Sequence, residues 1–143
     1  MVEKLVTFEV DGEEYGIDIT AVESIERMQY VTRVPGAHLT GVTNIRGRLW
    51  SVVDFRTLMN LAKKEHNEAT RMLLINEDRY QVAFIVDQAN SVLDVASVEM
   101  SENPAAYNSK RLTYIEGVYH TDDRLITVLQ VKELLEKVGG VVK

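Results

Sequence analysis

Apolar residues in this chain recur in a fixed order of patterns, and that order occurs twice. From Lys4 to Val10 they alternate, with Leu5, Thr7 and Glu9 on one face and Val6, Phe8 and Val10 on the other. Asp11-Gly12 follows, then Tyr15-Gly16-Ile17-Asp18-Ile19, a pattern that predicts a hairpin. Met72 to Ile75, a turn at Glu77-Asp78 and Val82 to Asp87 repeat the plan. Val22 and Ile25 return as Ala89 and Val92, at an offset of 67 residues. Gly41 to Met59 returns as Gly117 to Leu135 at an offset of 76, so that Arg48, Leu49, Val52 and Leu58 become Arg124, Leu125, Val128 and Leu134. The growth in offset places about nine extra residues in the polar stretch Ser101 to Lys110, a loop by composition.

Each copy of the longer repeat reads as strand, turn, strand and helix. Asp54 is the expected N-cap of a helix running to Leu61; Gln130 to Val138 forms the second, ended by Gly139-Gly140. Val52-Val53 and Val128-Leu129 put apolar side chains on both faces, as a strand does when it lines a barrel on one side and a neighbour on the other. The pattern predicts one mainly β domain over residues 1–143, made of two small, mostly antiparallel barrels that share an apolar seam. Half one spans about 14–69 and half two about 70–138, with Ala62 to Thr70 as linker. The N-terminal strand, 1–13, is expected to be shared or interleaved, because a hairpin alone is marginal.

Composition narrows the function. Of 143 residues, 45% are apolar and 27% charged, so the chain can bury a core. Sixteen basic against 22 acidic residues give a net charge of −6, which opposes binding to nucleic-acid phosphates. No apolar run is long enough to span a membrane and Met1-Val2-Glu3-Lys4 leads into no signal peptide, so a cytoplasmic protein without membrane insertion is expected. The absence of Cys removes disulfides, thiolate metal sites and a Cys nucleophile. His38, His66 and His120 are scattered without metal-ligand spacing, and Asp122-Asp123 occupy a turn. No phosphate-binding or nucleophile motif is present. No catalytic residue, metal site or cofactor is therefore expected, and the chain is read as a non-enzyme.

What remains is the contrast between the copies. The first turn is Asn44-Ile45-Arg46-Gly47; the second is His120-Thr121-Asp122-Asp123. Gly47 can supply positive φ and Asn44 can bond its own backbone. Two readings stand: a turn whose Arg sits in water, or a docking surface in which Ile45 and Arg46 meet a partner's carboxylate or carbonyls. Val22, Ile25 and Met28 follow a three-residue spacing that suits core packing or the wall of a groove for a partner helix. Trp50 is either core or an interface anchor. Arg48, Leu49, Val52 and Leu58 are assigned to the scaffold because the second copy keeps them.

Phe8-Glu9-Val10, Glu14-Tyr15-Gly16-Ile17-Asp18-Ile19, Val22-Glu23-Ser24-Ile25, Thr32-Arg33-Val34-Pro35, Gly41 to Gly47 and Val52-Val53-Asp54-Phe55-Arg56 together resemble the CheW family. Val86-Asp87, Ile115-Glu116-Gly117-Val118 and Arg124-Leu125-Ile126 continue the match across nearly the whole chain. The resemblance implies two five-stranded, SH3-like barrels, and a non-enzymatic coupler of bacterial chemotaxis recruited to membrane-associated arrays. Its implied partners are the cytoplasmic tips of methyl-accepting chemoreceptors and the regulatory domain of the histidine kinase CheA. Carried over by position, Val22, Ile25, Asn44, Ile45, Arg46 and Gly47 would face the receptor, and Met28, Val31 and Thr32 the kinase. Ser24 stands where many members have Glu, so a carboxylate for Arg46 would come from Glu23 or Glu26. Ser51 replaces a common Pro, and Gly36 to Thr40 is about two residues short. The alternatives are a scaffold of a non-flagellar chemosensory pathway and a small-barrel binder of nucleic acid or a small ligand.

Overall fold

The structure is a computed structural model that describes residues 4–35, 39–77, 80–95, 99–101 (backbone), 114–120 and 123–138. Two hairpins stand out as buried on both faces. One is β1 (Lys4–Val10) with β2 (Glu13–Asp18); the other is β7 (Arg71–Glu77) with β8 (Tyr80–Val86). Between them lie β3 (Val22–Arg27), β4 (Thr32–Arg33), β5 (Gly41–Ile45), β6 (Arg48–Asp54) and the single-turn helix α1 (Phe55–Leu58). After them come β9 (Gln88–Asp94), β10 (Glu99–Ser101), β11 (Ile115–His120), β12 (Leu125–Leu129) and α2 (Val131–Val138).

The strands form two sheets, ordered β10-β11-β12-β2-β1-β9 and β3-β7-β8-β6-β5-β4. Each repeat therefore lends its first hairpin to the other's sheet, and the sequence repeat is not the unit of sheet formation. The register obeys the repeat along most of the paired strands. Ile25 opposes Leu73 as Val92 opposes Val6, and Val52 lies beside Ala83 as Val128 lies beside Gly16. Two β-bulges correspond, with Glu23 and Asn90 the extra residues, while a third, at Glu116 in β11, has no counterpart in the β5–β6 pair. The lent hairpins enter by parallel pairs, β6 with β8 and β12 with β2. The sixth strand of each sheet, beyond the five expected, is a short edge piece of two or three residues.

Alternation along the strands explains the burial. Trp50, Val52, Met72, Leu74, Ala83 and Ile85 point into the first barrel; Leu5, Tyr119, Ile126 and Val128 point into the second. The opposite faces meet in a third and larger core made of Phe8, Tyr15, Val53, Leu73, Phe84 and Leu129, capped by both helices through Phe55, Leu58, Leu134 and Leu135. Val52-Val53 and Val128-Leu129 thus each serve two cores, as their patterning required. Four aromatic rings bind the seam, with Phe55 edge-on to Phe8, Tyr15 and Phe84 at centroid distances of 5.4, 5.1 and 6.1 Å. Trp50 is core, 1% exposed.

Two sequence expectations change. Asp54 does cap α1, accepting from the Arg56 N–H at 3.0 Å. The helix ends at Leu58 instead of Leu61, because Asn60 adopts φ 60° and turns the chain away. Leu49 and Leu125, expected as scaffold, are 61% and 63% exposed. Each sits at the strand start just past the hairpin tip and faces away from its barrel core. His38, Gly139-Gly140 and 102–110 of the expected loop lie outside the described residues; Ser101 ends β10 instead.

Arg56 ties these parts together and has no charged twin at the seam, since its counterpart Lys132 is exposed. Buried, it donates from Nε and Nη2 to the two oxygens of Asp87 (3.1 and 2.8 Å), from Nη2 to Asp11, and from Nη1 to the Ala62 carbonyl. It thereby joins α1, the β1–β2 turn, the β8–β9 junction and the linker. Burial raises the Asp87 carboxyl, but hydrogen bonds from Arg56 and the Asp11 N–H outweigh it and leave the pKa lowered. Arg56→Ala should cost about 3 kcal/mol in urea unfolding, because half-buried Asp87 loses both guanidinium hydrogen bonds and keeps only the Asp11 N–H and the Lys64 ammonium at 3.8 Å, and adding Asp87→Ala should recover part of that loss. The Asp87 contribution is present above its unfolded pKa of about 3.9 and disappears as pH falls through the lower folded value, so Asp87→Asn should flatten acid destabilisation below pH about 4.

Candidate functional site

The β5–β6 hairpin closes on two residues, Arg46 at φ 50° and Gly47 at φ 85°, the mirror-image turn that matches strand twist. Asp11-Gly12 makes the same turn between β1 and β2, at φ 57° and 81°. Asn44 holds the Arg46 bend as its sequence position suggested, its Oδ1 accepting from the Gly47 N–H at 3.0 Å. Beneath the turn Ile45 is 6% exposed and packs in the first barrel's core with Trp50, Met72 and Ile85. The turn therefore presents Asn44, Arg46 and Gly47 outward, while Ile45 anchors it from below.

In strand order β3 stands three places away from β6, yet side chains bring them together. Arg46 Nη2 donates to Glu26 Oε2 at 2.6 Å; Arg48 donates from both terminal nitrogens to the two Glu23 oxygens at 2.7 and 3.2 Å. These pairs cross the mouth of the first barrel, where no backbone ladder joins the two elements. Ser24 Oγ donates to the same Glu26 oxygen at 2.9 Å, and Asn76 Nδ2 donates to Glu23. Hydrogen bonds from Arg46 and Ser24 hold the Glu26 carboxyl below the ordinary carboxylate range; those from Arg48 and Asn76 do the same for Glu23. The Arg48 guanidinium also lies 4.8 Å from the Trp50 ring centroid.

The second barrel closes differently with the same parts. Arg124 donates to both oxygens of Glu14 (3.2 and 2.7 Å), and Asn90 Nδ2 donates to Glu14 as well. Glu23 on β3 corresponds to Asn90 on β9, so the carboxylate that binds the arginine comes from a different strand in each barrel while the arginine stays. This explains why Arg48 and Arg124 recur. Arg46 and Glu26 have no such parallel: their counterparts are Asp122 and Leu93.

The expected partner-facing residues fall into two neighbouring groups. Ile25 lies exposed on β3, and Val22 is half-buried against the seam core. Met28 and Val31 are half-buried against the first barrel's core, and Thr32 is exposed on the edge strand β4 beside Val42. Tyr30, 86% exposed between Met28 and Val31, carried no periodic signal and was missed; so was the exposure of Leu49. Gly41 is required here, since a Cβ would stand 2.2 Å from the Thr32 carbonyl oxygen.

A polar cleft of about 420 Å³ opens where the barrels meet, lined by Asp18, Glu77, Glu116 and Lys132 among others. Asp18 is occupied in accepting from the Thr20 N–H. Among the described residues no group of three His, Asp or Glu is placed to hold a metal ion, and no helix is long and apolar enough to cross a membrane.

Two interleaved barrels with an ion-paired mouth define a class, and the comparisons define it further. The CheW-like domain family matches residues 4–139, and the chain belongs to that family. It is 36% identical over 137 residues to the chemotaxis protein CheW of Bacillus subtilis (strain 168), covering 94% of this chain and 88% of that one. It is 28% identical to the chemotaxis protein CheW of Helicobacter pylori (strain ATCC 700392 / 26695), covering 94% and 82%. The crystal structure of the scaffolding protein TtCheW from Thermoanaerobacter tengcongensis superimposes with a TM-score of 0.75 at 26% identity, over 90% of this chain and 89% of that one.

Carboxyl titration by NMR should place Glu23 and Glu26 below the ordinary value of about 4.3. Arg48→Ala should move the Glu23 midpoint back up while leaving Glu26 low.

Proposed function

We propose that this protein is a non-catalytic coupling adaptor of chemotaxis, joining the cytoplasmic tips of chemoreceptors to the histidine kinase CheA. The observation that carries this reading is the Arg46 turn. In a molecule whose two halves agree strand by strand, it projects a guanidinium where the second copy has an acidic residue, and a carboxylate on β3 holds it in place. Membership of the CheW-like family supports the partner class. The relatives named above are chemotaxis and scaffolding proteins, and the chain spans most of their length.

In this reading Val22, Ile25, Asn44, Arg46 and Gly47 face the receptor, with Ile45 as their support. Met28, Val31 and Thr32 face the kinase, and Tyr30 belongs with them by position. The protein is cytoplasmic and reaches the membrane only through its partners. A receptor tip is a helical hairpin, and a helix side chain that accepts hydrogen bonds can meet the exposed face of Arg46 while apolar residues cover Ile25. The net charge of −6 speaks against an oligonucleotide ligand.

Co-sedimentation of the full chain with a receptor signalling fragment and CheA from the same cell should give a ternary assembly with altered kinase activity. Absence of assembly with matched partners would contradict the reading. Arg46→Glu should weaken receptor coupling while shifting the melting temperature by only about 2–3 °C, as for other exposed substitutions. A large loss of stability would make Arg46 a structural residue instead.

A further inference from the structure

We propose that residues 28–31 form a strap over the first barrel's core that opens locally, with the Thr43 hydroxyl as its catch, and that a partner seated on the strap holds it closed. The last clause rests on the kinase-facing reading of Met28, Val31 and Thr32 above. Trp50 is the observation that points to it. Its side chain is buried, and its Nε1 donor finds no acceptor among the described residues. The Arg48 guanidinium over the ring cannot serve, since it is itself a donor and the indole N–H lies in the ring plane. Closing the barrel over this indole therefore strands a donor at the full cost of its lost water.

What closes it is slight. Residues 28–31 link β3 to the two-residue strand β4 and belong to no strand themselves. Met28 and Val31 are half-buried against the core, while Gln29 and Tyr30 are exposed. Thr43 Oγ1 donates to the Tyr30 carbonyl at 2.7 Å and fastens the middle of the strap. Thr43 is buried and stands directly opposite Trp50 in the β5–β6 register, so the catch and the stranded donor are neighbours on one face. Lifting the strap uncovers Met28 and Val31 but lets water reach the indole. Opposed terms of this kind mark a segment that opens well below the free energy of global unfolding.

The second barrel lacks the conflict. At the same cross-strand pair it has Tyr119 and Ile126, with the aromatic ring moved to the other strand. Ile126 is fully buried and has no polar side-chain atom to strand. An aliphatic residue therefore suffices at this place in a closed core, and the stranded indole is particular to the barrel whose strap carries the kinase-facing residues.

Trp50 is the chain's one tryptophan, so its indole proton gives a single NMR resonance in the full chain. Its hydrogen exchange should be faster than that of the Leu73 and Phe84 amides and insensitive to low urea, because local opening exposes little surface. Thr43→Val, which removes the hydroxyl and keeps the shape, should speed it about fivefold, the scale of one hydrogen bond, and Thr43→Ser should restore the wild-type rate. The CheA regulatory domain, at about ten times its dissociation constant, should slow it about tenfold. An indole proton that exchanges only as fast as the seam amides and shares their urea dependence would overturn the strap, and so would a Thr43→Val rate equal to that of the wild type. A long-lived water in Overhauser contact with a slowly exchanging indole would do the same, since the donor would then be satisfied with the strap closed. A kinase domain that binds without slowing the exchange, or does not bind, would leave the opening strap standing and contradict the kinase-facing reading.

Discussion

Neither barrel can be built from consecutive chain, and this constraint organises the molecule. The β1–β2 and β7–β8 hairpins are apolar on both faces and each must be covered twice. The fold achieves this by exchanging them, so that one face of each hairpin lines the partner repeat's barrel and the other enters the common seam. The Phe8, Tyr15, Phe55 and Phe84 rings fill that seam, and Arg56 locks its rim by gathering Asp87, Asp11 and the Ala62 carbonyl. A buried guanidinium with three acceptors from different elements tolerates little relative movement, because displacement would strand charge out of water.

A rigid seam leaves the far ends of the barrels free to diverge. At those ends β3 and the β5–β6 hairpin approach without a backbone ladder, so side chains decide how the mouth is held. The two barrels use one arginine, one carboxylate and one amide each, with the acid and the amide drawn from β3 and β7 in the first and from β2 and β9 in the second. Against that common solution the Arg46–Glu26 pair is an addition. It closes nothing that Arg48 and Glu23 leave open, and it sets a cation at a turn tip. Positive φ at Arg46 itself reinforces the point. Gly, which lacks a Cβ, or Asn, whose short side chain bonds the local backbone, would sit there with less strain, so the guanidinium stands there at a conformational cost.

Periodicity and self-comparison carried most of the architecture. The hairpins, the two-faced strands at Val52-Val53 and Val128-Leu129, the Asp54 cap and the Asn44 brace are local or repeat-borne signals, and the structure has them all. The exchange of hairpins was less legible, because a strand's pattern states that it is buried on both faces and not by whom. Recurrence misled at Leu49 and Leu125, which are shared by the copies but exposed; a repeat preserves surfaces as well as cores. Tyr30 left no trace because an exposed residue between strands has no period. The holder of Arg46 could be narrowed to Glu23 or Glu26 but not chosen, since the bulge at Glu23 shifts which residues of β3 share a face.

The central claim is that the first barrel's mouth, and not its twin, is the surface specialised for docking. Backbone chemical-shift mapping of the labelled chain against an unlabelled receptor hairpin-tip fragment tests it directly. The account predicts perturbations centred on Val22 to Glu26 and Asn44 to Gly47, with the equivalent positions Ala89 to Leu93 and His120 to Asp123 unmoved. Perturbations centred on the second barrel, or spread equally over both, would contradict it.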